Sequence, residues 1–229
     1  INGLDAGGSV TNHPLGIGDV VRVDVVFTEA VTVDDSNGAP TFTVDVGGAA
    51  RVASYDALLS TDTTLAFTYT VAAGDVDTAD GITASADSLT IPPGSSIQDA
   101  AGNDADLSTA EIAANANTIA VDAIVPAVSS VAIAGTDSTG AAKSGTLVSG
   151  DQVMVTVTMS ESVNVDLAGG NPTFSLEIDG QTRDASYASG SGSNTLVFTY
   201  TVAAGDVDTA GGITASADSL TIPPGSSIQ

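Results

Sequence analysis

Hydrophobic and polar residues alternate along most of this chain. In DVVRVDVVFT (19–28), Val21, Val23, Val25 and Phe27 share one side of an extended backbone, and Val20, Arg22, Asp24 and Val26 share the other. DQVMVTVTMS (151–160) repeats the pattern with Val153, Val155, Val157 and Met159. A period of two with one apolar side predicts a strand with one buried face. Comparing the two stretches supports the assignment. The inward valines are unchanged, whereas Arg22 becomes Met154, Asp24 becomes Thr156 and Val26 becomes Thr158.

Further strands follow. PTFTVDV (40–46) points Phe42, Val44 and Val46 inward, and PTFSLEI (172–178) does the same with Phe174, Leu176 and Ile178. RVASY (51–55) matches RDASY (183–187), and TLAFTYTV (64–71) presents Leu65, Phe67, Tyr69 and Val71 to one side. GITASADSLTI and NTIAVDA supply the last strands of the first copy. NGAP, PPG and AGND clusters lie between them and carry turn chemistry. One short stretch, LSTAEIAANA (107–116), has the alanine and glutamate content of a helix. Seven or eight short strands per ~100 residues predict an all-β chain of tandem immunoglobulin-like antiparallel β-sandwiches.

The duplication is close. Residues 64–98 and 195–229 match at 33 of 35 positions, the exceptions being Ala66/Val197 and Asp80/Gly211. The predicted repeats are 1–124 and 125–229, joined through VDAIVPAV (121–128), where Pro126 breaks the strand. Ile1 aligns with Ile133 and Gln229 with Gln98, so the second repeat has no counterpart of 99–124. These ragged ends lead to the expectation that the residues belong to a longer array. A neighbouring chain that donates a strand is the less favoured alternative.

Charge narrows the function. There are 28 acidic and 4 basic residues, for a formal charge of −24. Nucleic acid and anionic membrane would be repelled, whereas cations or a salty medium would suit such a surface. No cysteine is present, which excludes a disulfide scaffold, and no apolar run is long enough for insertion into a bilayer.

FTEAVTV, PTFTVDV, Tyr55, TLAFTYTVAAGD, IQDAAGND and VDAIVP, in that order, resemble the immunoglobulin-like repeats of large bacterial cell-surface proteins. These occur in adhesin extenders, S-layer-type proteins and swimming-associated surface proteins. The resemblance covers both copies nearly end to end. It implies an extracellular, non-enzymatic extender, a stiff rod stabilised by calcium, whose partners are neighbouring repeats of the same chain. The alternative is a segment of a self-assembling S-layer or filament whose partners are identical chains.

Candidate cation ligands follow from two loops and their copies. AAGDVDTADG (72–81) offers Asp75, Asp77 and Asp80, and its copy offers Asp206 and Asp208. QDAAGNDAD (98–106) offers Asp99, Asn103 and Asp104, with Asp122 and Asp137 flanking the linker. Carboxylates at these spacings suit one hard cation, and they equally suit polar turns kept in water. Catalysis has little to stand on. Glu29 and Glu161 sit in separate copies, so they do not form the facing carboxylate pair of a glycosidase. His13, the one histidine, is replaced by Gly145. Sugar binding would need exposed aromatic platforms, and only Tyr55 and Tyr187 are candidates. Arg51 and Arg183, at matched positions beside strands, predict a structural ion pair in each copy.

Overall fold

The computed structural model describes every residue except Asn12, Ala79, Asp80, Asn115, Thr209 and Ala210. The chain divides into two compact units, Ile1–Val125 and Pro126–Gln229. Unit 1 contains β1 (Asn2–Leu4), β2 (Val20–Val26), β3 (Thr32–Asp34), β4 (Thr41–Val46), β5 (Ala49–Thr61), β6 (Thr64–Thr70), β7 (Val76–Asp77), β8 (Leu89–Thr90), β9 (Ser96–Gln98) and β10 (Val121–Asp122). Unit 2 contains β11 (Val128–Thr136), β12 (Ala142–Lys143), β13 (Gln152–Val163), β14 (Val165–Asp166), β15 (Thr173–Ile178), β16 (Gln181–Ser189), β17 (Ser193–Thr201), β18 (Leu220–Thr221) and β19 (Ser227–Ile228). Among the described residues there is no helix.

In unit 1 the main sheet runs β1-β2-β6-β5-β4-β8, with the small pairs β10-β7 and β3-β9 beside it. In unit 2 it runs β12-β11-β13-β17-β16-β15-β18, with β14-β19 beside it. All these strand pairings are antiparallel, so each unit is an all-β, sandwich-like fold.

The alternating side chains explain where each core lies. Val21 and Val23 of β2, Phe42, Val44 and Val46 of β4 and Leu65 and Phe67 of β6 are buried in one cluster. Val153, Val155 and Val157 of β13, Phe174 and Leu176 of β15 and Leu196 and Phe198 of β17 form the other. A strand register fixes these assignments, because slipping by one residue would turn every valine of β2 to the opposite face. The observed register sets Val23 opposite Phe67 and Val155 opposite Phe198.

Two expectations are corrected. The described residues of 107–116 are not helical; Ile112 instead exchanges both backbone hydrogen bonds with Ala84, at 3.0 and 2.8 Å. A segment of about ten residues gains too little from helical hydrogen bonds to outweigh burial of Ile112 against the sheet. Tyr55 and Tyr187 are not exposed platforms. They are half-buried, with ring centroids 5.9 Å from Phe67 and 5.7 Å from Phe198, respectively. That removes the sequence basis for sugar stacking.

Candidate functional site

The opening turn of AAGDVDTADG holds the most concentrated polar chemistry. Tyr69 lies near the end of β6, and the chain turns immediately afterwards. The Asp75 amide donates to the Ala72 carbonyl at 3.1 Å, closing the turn. This folds the Asp75 carboxylate back over the sheet. Arg51, near the start of β5, reaches it with two guanidinium donors to Oδ1, Nε at 2.8 Å and Nη2 at 2.6 Å. The Tyr69 hydroxyl donates to Oδ2 at 2.5 Å and the Ala72 amide donates to the same oxygen at 3.0 Å. The Asp75 side chain is only 1% exposed.

Unit 2 repeats the arrangement. Arg183 Nε donates to Asp206 Oδ1 at 2.9 Å, the Tyr200 hydroxyl to Oδ2 at 2.6 Å and the Ala203 amide to Oδ2 at 2.9 Å. Each carboxylate is thus a hub that ties the β5–β6 or β16–β17 pair to the following loop. Burial pushes the Asp75 carboxyl up, but donation from Tyr69, Arg51 and Ala72 outweighs it and holds the group below the ordinary aspartate range. For Asp206 the Tyr200 hydroxyl is the leading cause of the same lowering. Burial raises Tyr69 and Tyr200, and their acceptor carboxylates add to it.

The remaining predicted ligands are dispersed. Asp77, on β7, is buried; Oδ2 accepts from the Gly47 amide at 3.3 Å, while Oδ1 has no hydrogen-bond partner among the described residues. Asp208 accepts from the Gly211 and Gly212 amides at 3.2 and 3.3 Å. Asp80 lies outside the described residues. Asp122 is exposed on β10, its Oδ1 accepting from the Ile124 amide at 3.4 Å. Asp137 closes a turn, its Oδ1 accepting from the Thr139 amide and hydroxyl and the Ala141 amide at 2.8, 2.6 and 3.0 Å. The Thr139 hydroxyl, ahead of the backbone donors, lowers its pKa.

Asp99, Asn103 and Asp104 are brought together. They line a 390 Å³ cleft in unit 1 with Phe27, Glu29 and Asp106. Asp99 shapes its loop, with Oδ1 accepting from the Ala101 and Asn103 amides and Oδ2 from the Asn103 side chain, each at 2.8 Å. Asp104 Oδ1 accepts from Gln98 Nε2 at 2.8 Å. Oxygen donors of this kind suit a hard cation. Among the described residues, however, no set of three or more Asp, Glu or His side chains converges as a metal site would.

The sequence predicts an ion pair at Arg51 and at Arg183 without naming its partner; the structure supplies Asp75 and Asp206, and Arg51, Tyr69 and Asp75 meet across 24 positions of chain. The signal was present, because Arg, Tyr and Asp recur together in both copies. Sequence spacing gives no sign that Glu29 shares the cleft of the Asp99 loop. Comparison with protein-family models, curated proteins and solved structures gives no match to this chain.

Proposed function

We propose that this chain is a mechanical spacer: tandem β-sandwich-like repeats of an extracellular surface protein, acting as an extender and not as an enzyme. The supporting observation is the repeated Arg–Asp–Tyr hub. In both units the arginine, tyrosine and aspartate are spent on tying strands to loops. Independent cores suit a segment that must carry load unit by unit. The test is single-molecule extension of the whole chain. We expect two all-or-none events, with contour gains of roughly 40 and 35 nm at about 3.5 Å per residue for units of 125 and 104 residues. Smooth extension without discrete events would sink the reading.

Calcium enters this proposal as a weak stabiliser of unit 1, at the cleft lined by Glu29, Asp99 and Asp104. These carboxylates would have to draw closer to share an ion, so its affinity belongs with weak extracellular sites (Kd on the order of 10⁻⁴ to 10⁻³ M). Ten millimolar calcium would then add roughly 1.4 to 2.7 kcal/mol, or a few degrees in Tm. The check is calorimetry with calcium and with chelator at matched ionic strength. A rise that Asp104→Asn abolishes supports the assignment; equal Tm values reject it.

A further inference from the structure

The main sheet of each unit has a second face, turned away from its core. In unit 1 that face carries charge. Arg22 and Asp24 of β2 form an ion pair there at 2.8 Å, and Asp24 and Asp56 stand opposite Ala66 from either side. β5 also bulges between Asp56 and Thr61, where the Ser60 hydroxyl accepts from the Ala66 amide at 2.9 Å and Leu58 stands 96% exposed. In unit 2 the same positions are neutral. Met154 replaces Arg22, Thr156 replaces Asp24, Ala188 replaces Asp56 and Val197 replaces Ala66. Glycine and serine (189–193) stand where unit 1 has its leucine bulge.

The result is an uncharged surface in a chain with 28 acidic residues. β11, β17 and residues 152–160 of β13 contain no charged side chain. Their outward residues stand in register, Ala132 opposite Thr156 opposite Val197, and Ala134 opposite Met154 opposite Thr199. Ser130, Ala132 and Ala134 are exposed, and Met154, Thr156 and Val197 are half-buried. The acidic residues on this side of the sheet, Glu177 and Asp184, are confined to the β15–β16 rim. Unit 1 shows that the fold leaves this face open. There Leu107, Ile112, Ile119 and Val121 pack against the core, on the other side of the sheet, and the outward Val26 and Val52 stay 73% and 57% exposed.

We infer that this face of unit 2 is a contact surface for the same face of a second copy of the chain. Charge selects the occupant. Two chains of formal charge −24 repel, so they meet best where neither presents carboxylates. A cationic partner would find no carboxylate at the centre of this face to pair with. A surface without charge at its centre and with charge at its rim has the anatomy of an interface. Two such faces pack as aligned sheets about 10 Å apart and leave no charge buried and unpaired. Area sets the strength. Four strands about 4.8 Å apart and about seven residues long cover roughly 450 Å² per copy, against about 800 Å² per partner in a stable complex. The contact is therefore weak, with a Kd on the order of 10⁻⁴ M, and is populated where copies lie crowded side by side. The inference does not rest on the spacer reading, because extension is a property of one chain and association a property of two.

The test is sedimentation equilibrium of the full chain, from micromolar to millimolar concentration, in low and in high sodium chloride. The expected result is a reversible dimer, populated more in high salt because screening removes the repulsion between copies. Met154→Arg combined with Thr156→Asp restores the ion pair that unit 1 holds at the same positions. It is expected to weaken dimerisation roughly tenfold or more and to leave the urea midpoint unchanged. Val197→Ala, again the unit 1 residue, is expected to weaken dimerisation a few-fold. Concentration-dependent amide shifts should fall on 130–134, 154–158 and 195–199. A monomer at every concentration and salt overturns the inference. So does a dimer that the double variant and Val197→Ala both leave intact. A dimer that tightens as salt is lowered would mean that charges elsewhere carry the contact, and would overturn it as well.

Discussion

Replacing Phe67 by alanine is expected to destabilise unit 1 by about 3 to 5 kcal/mol, a large share of the roughly 5 to 15 kcal/mol that holds a domain together. Phe67 is fully buried at the centre of β6. It lies opposite Val23 on one side and Tyr55 on the other, and its ring stands 6.0 Å from Phe42 and 5.9 Å from Tyr55. Truncation therefore removes one of the two buried phenylalanines of the core and leaves a cavity between two strands that backbone hydrogen bonds hold in place. The sheet cannot collapse onto the space without breaking its register, so the upper part of the range applies. Phe198→Ala should act likewise in unit 2, where Phe174 and Tyr187 flank the ring. The check is urea unfolding followed by a probe in each unit. A loss under about 1 kcal/mol would mean that the core repacks, contrary to the packing described. By contrast, Leu58→Ser, at a side chain 96% exposed, should stay within about 0.5 kcal/mol of the parent.

This contrast shows what was legible in the sequence. A period-two pattern reports directly on which face of a strand is buried, and Val21, Val23, Phe42, Val44, Phe67 and their copies are all buried where alternation places them. Patterning is a local property, and the strand core is local in that sense. Ala66 shows the limit: it lies on the face assigned to solvent, yet it is fully buried. Its neighbours Asp24 and Asp56 belong to strands 42 and 10 positions away, and no window of sequence contains both. The polar hub was hidden for the same reason. Arg51 and Asp75 meet only because β5 pairs with β6, Ser54 opposite Thr68, and because the following turn folds back. Read alone, Asp75 and Asp77 suit either a cation loop or a polar turn. Set in the fold, one is tied to Arg51 and Tyr69 and the other to the Gly47 amide. The stronger clue was the charge balance. With four basic residues in the whole chain, two of them placed identically in the two repeats, each arginine was a better partner for a buried carboxylate than a metal ion.

Replacing Asp75 by alanine is expected to cost unit 1 about 3 kcal/mol, because four donors lose their acceptor at once. The Tyr69 hydroxyl and Ala72 amide both donate to the buried Asp75 Oδ2, and its removal leaves both without their acceptor. Arg51 is a third exposed and swings into solvent, so most of the loss belongs to the buried side of the hub. Tyr69→Phe, which removes one charge-assisted donor, should cost about half as much. The same hub sets an acid limit. Asp75 is held below the ordinary aspartate range in the folded chain, so between its folded and unfolded pKa values the unfolded state binds more protons. The stabilisation is therefore complete above the unfolded value near about 4 and falls away as pH drops through the folded one. Unit 1 of the parent should lose stability as pH falls below about 4, and the Asp75→Ala chain should show a shallower acid limb there. Measuring the urea midpoint over that range, in both proteins, decides the matter. Parallel limbs would mean that the Arg51–Asp75–Tyr69 hub contributes nothing to the acid sensitivity of this unit, and that its carboxylate is not held charged by its partners.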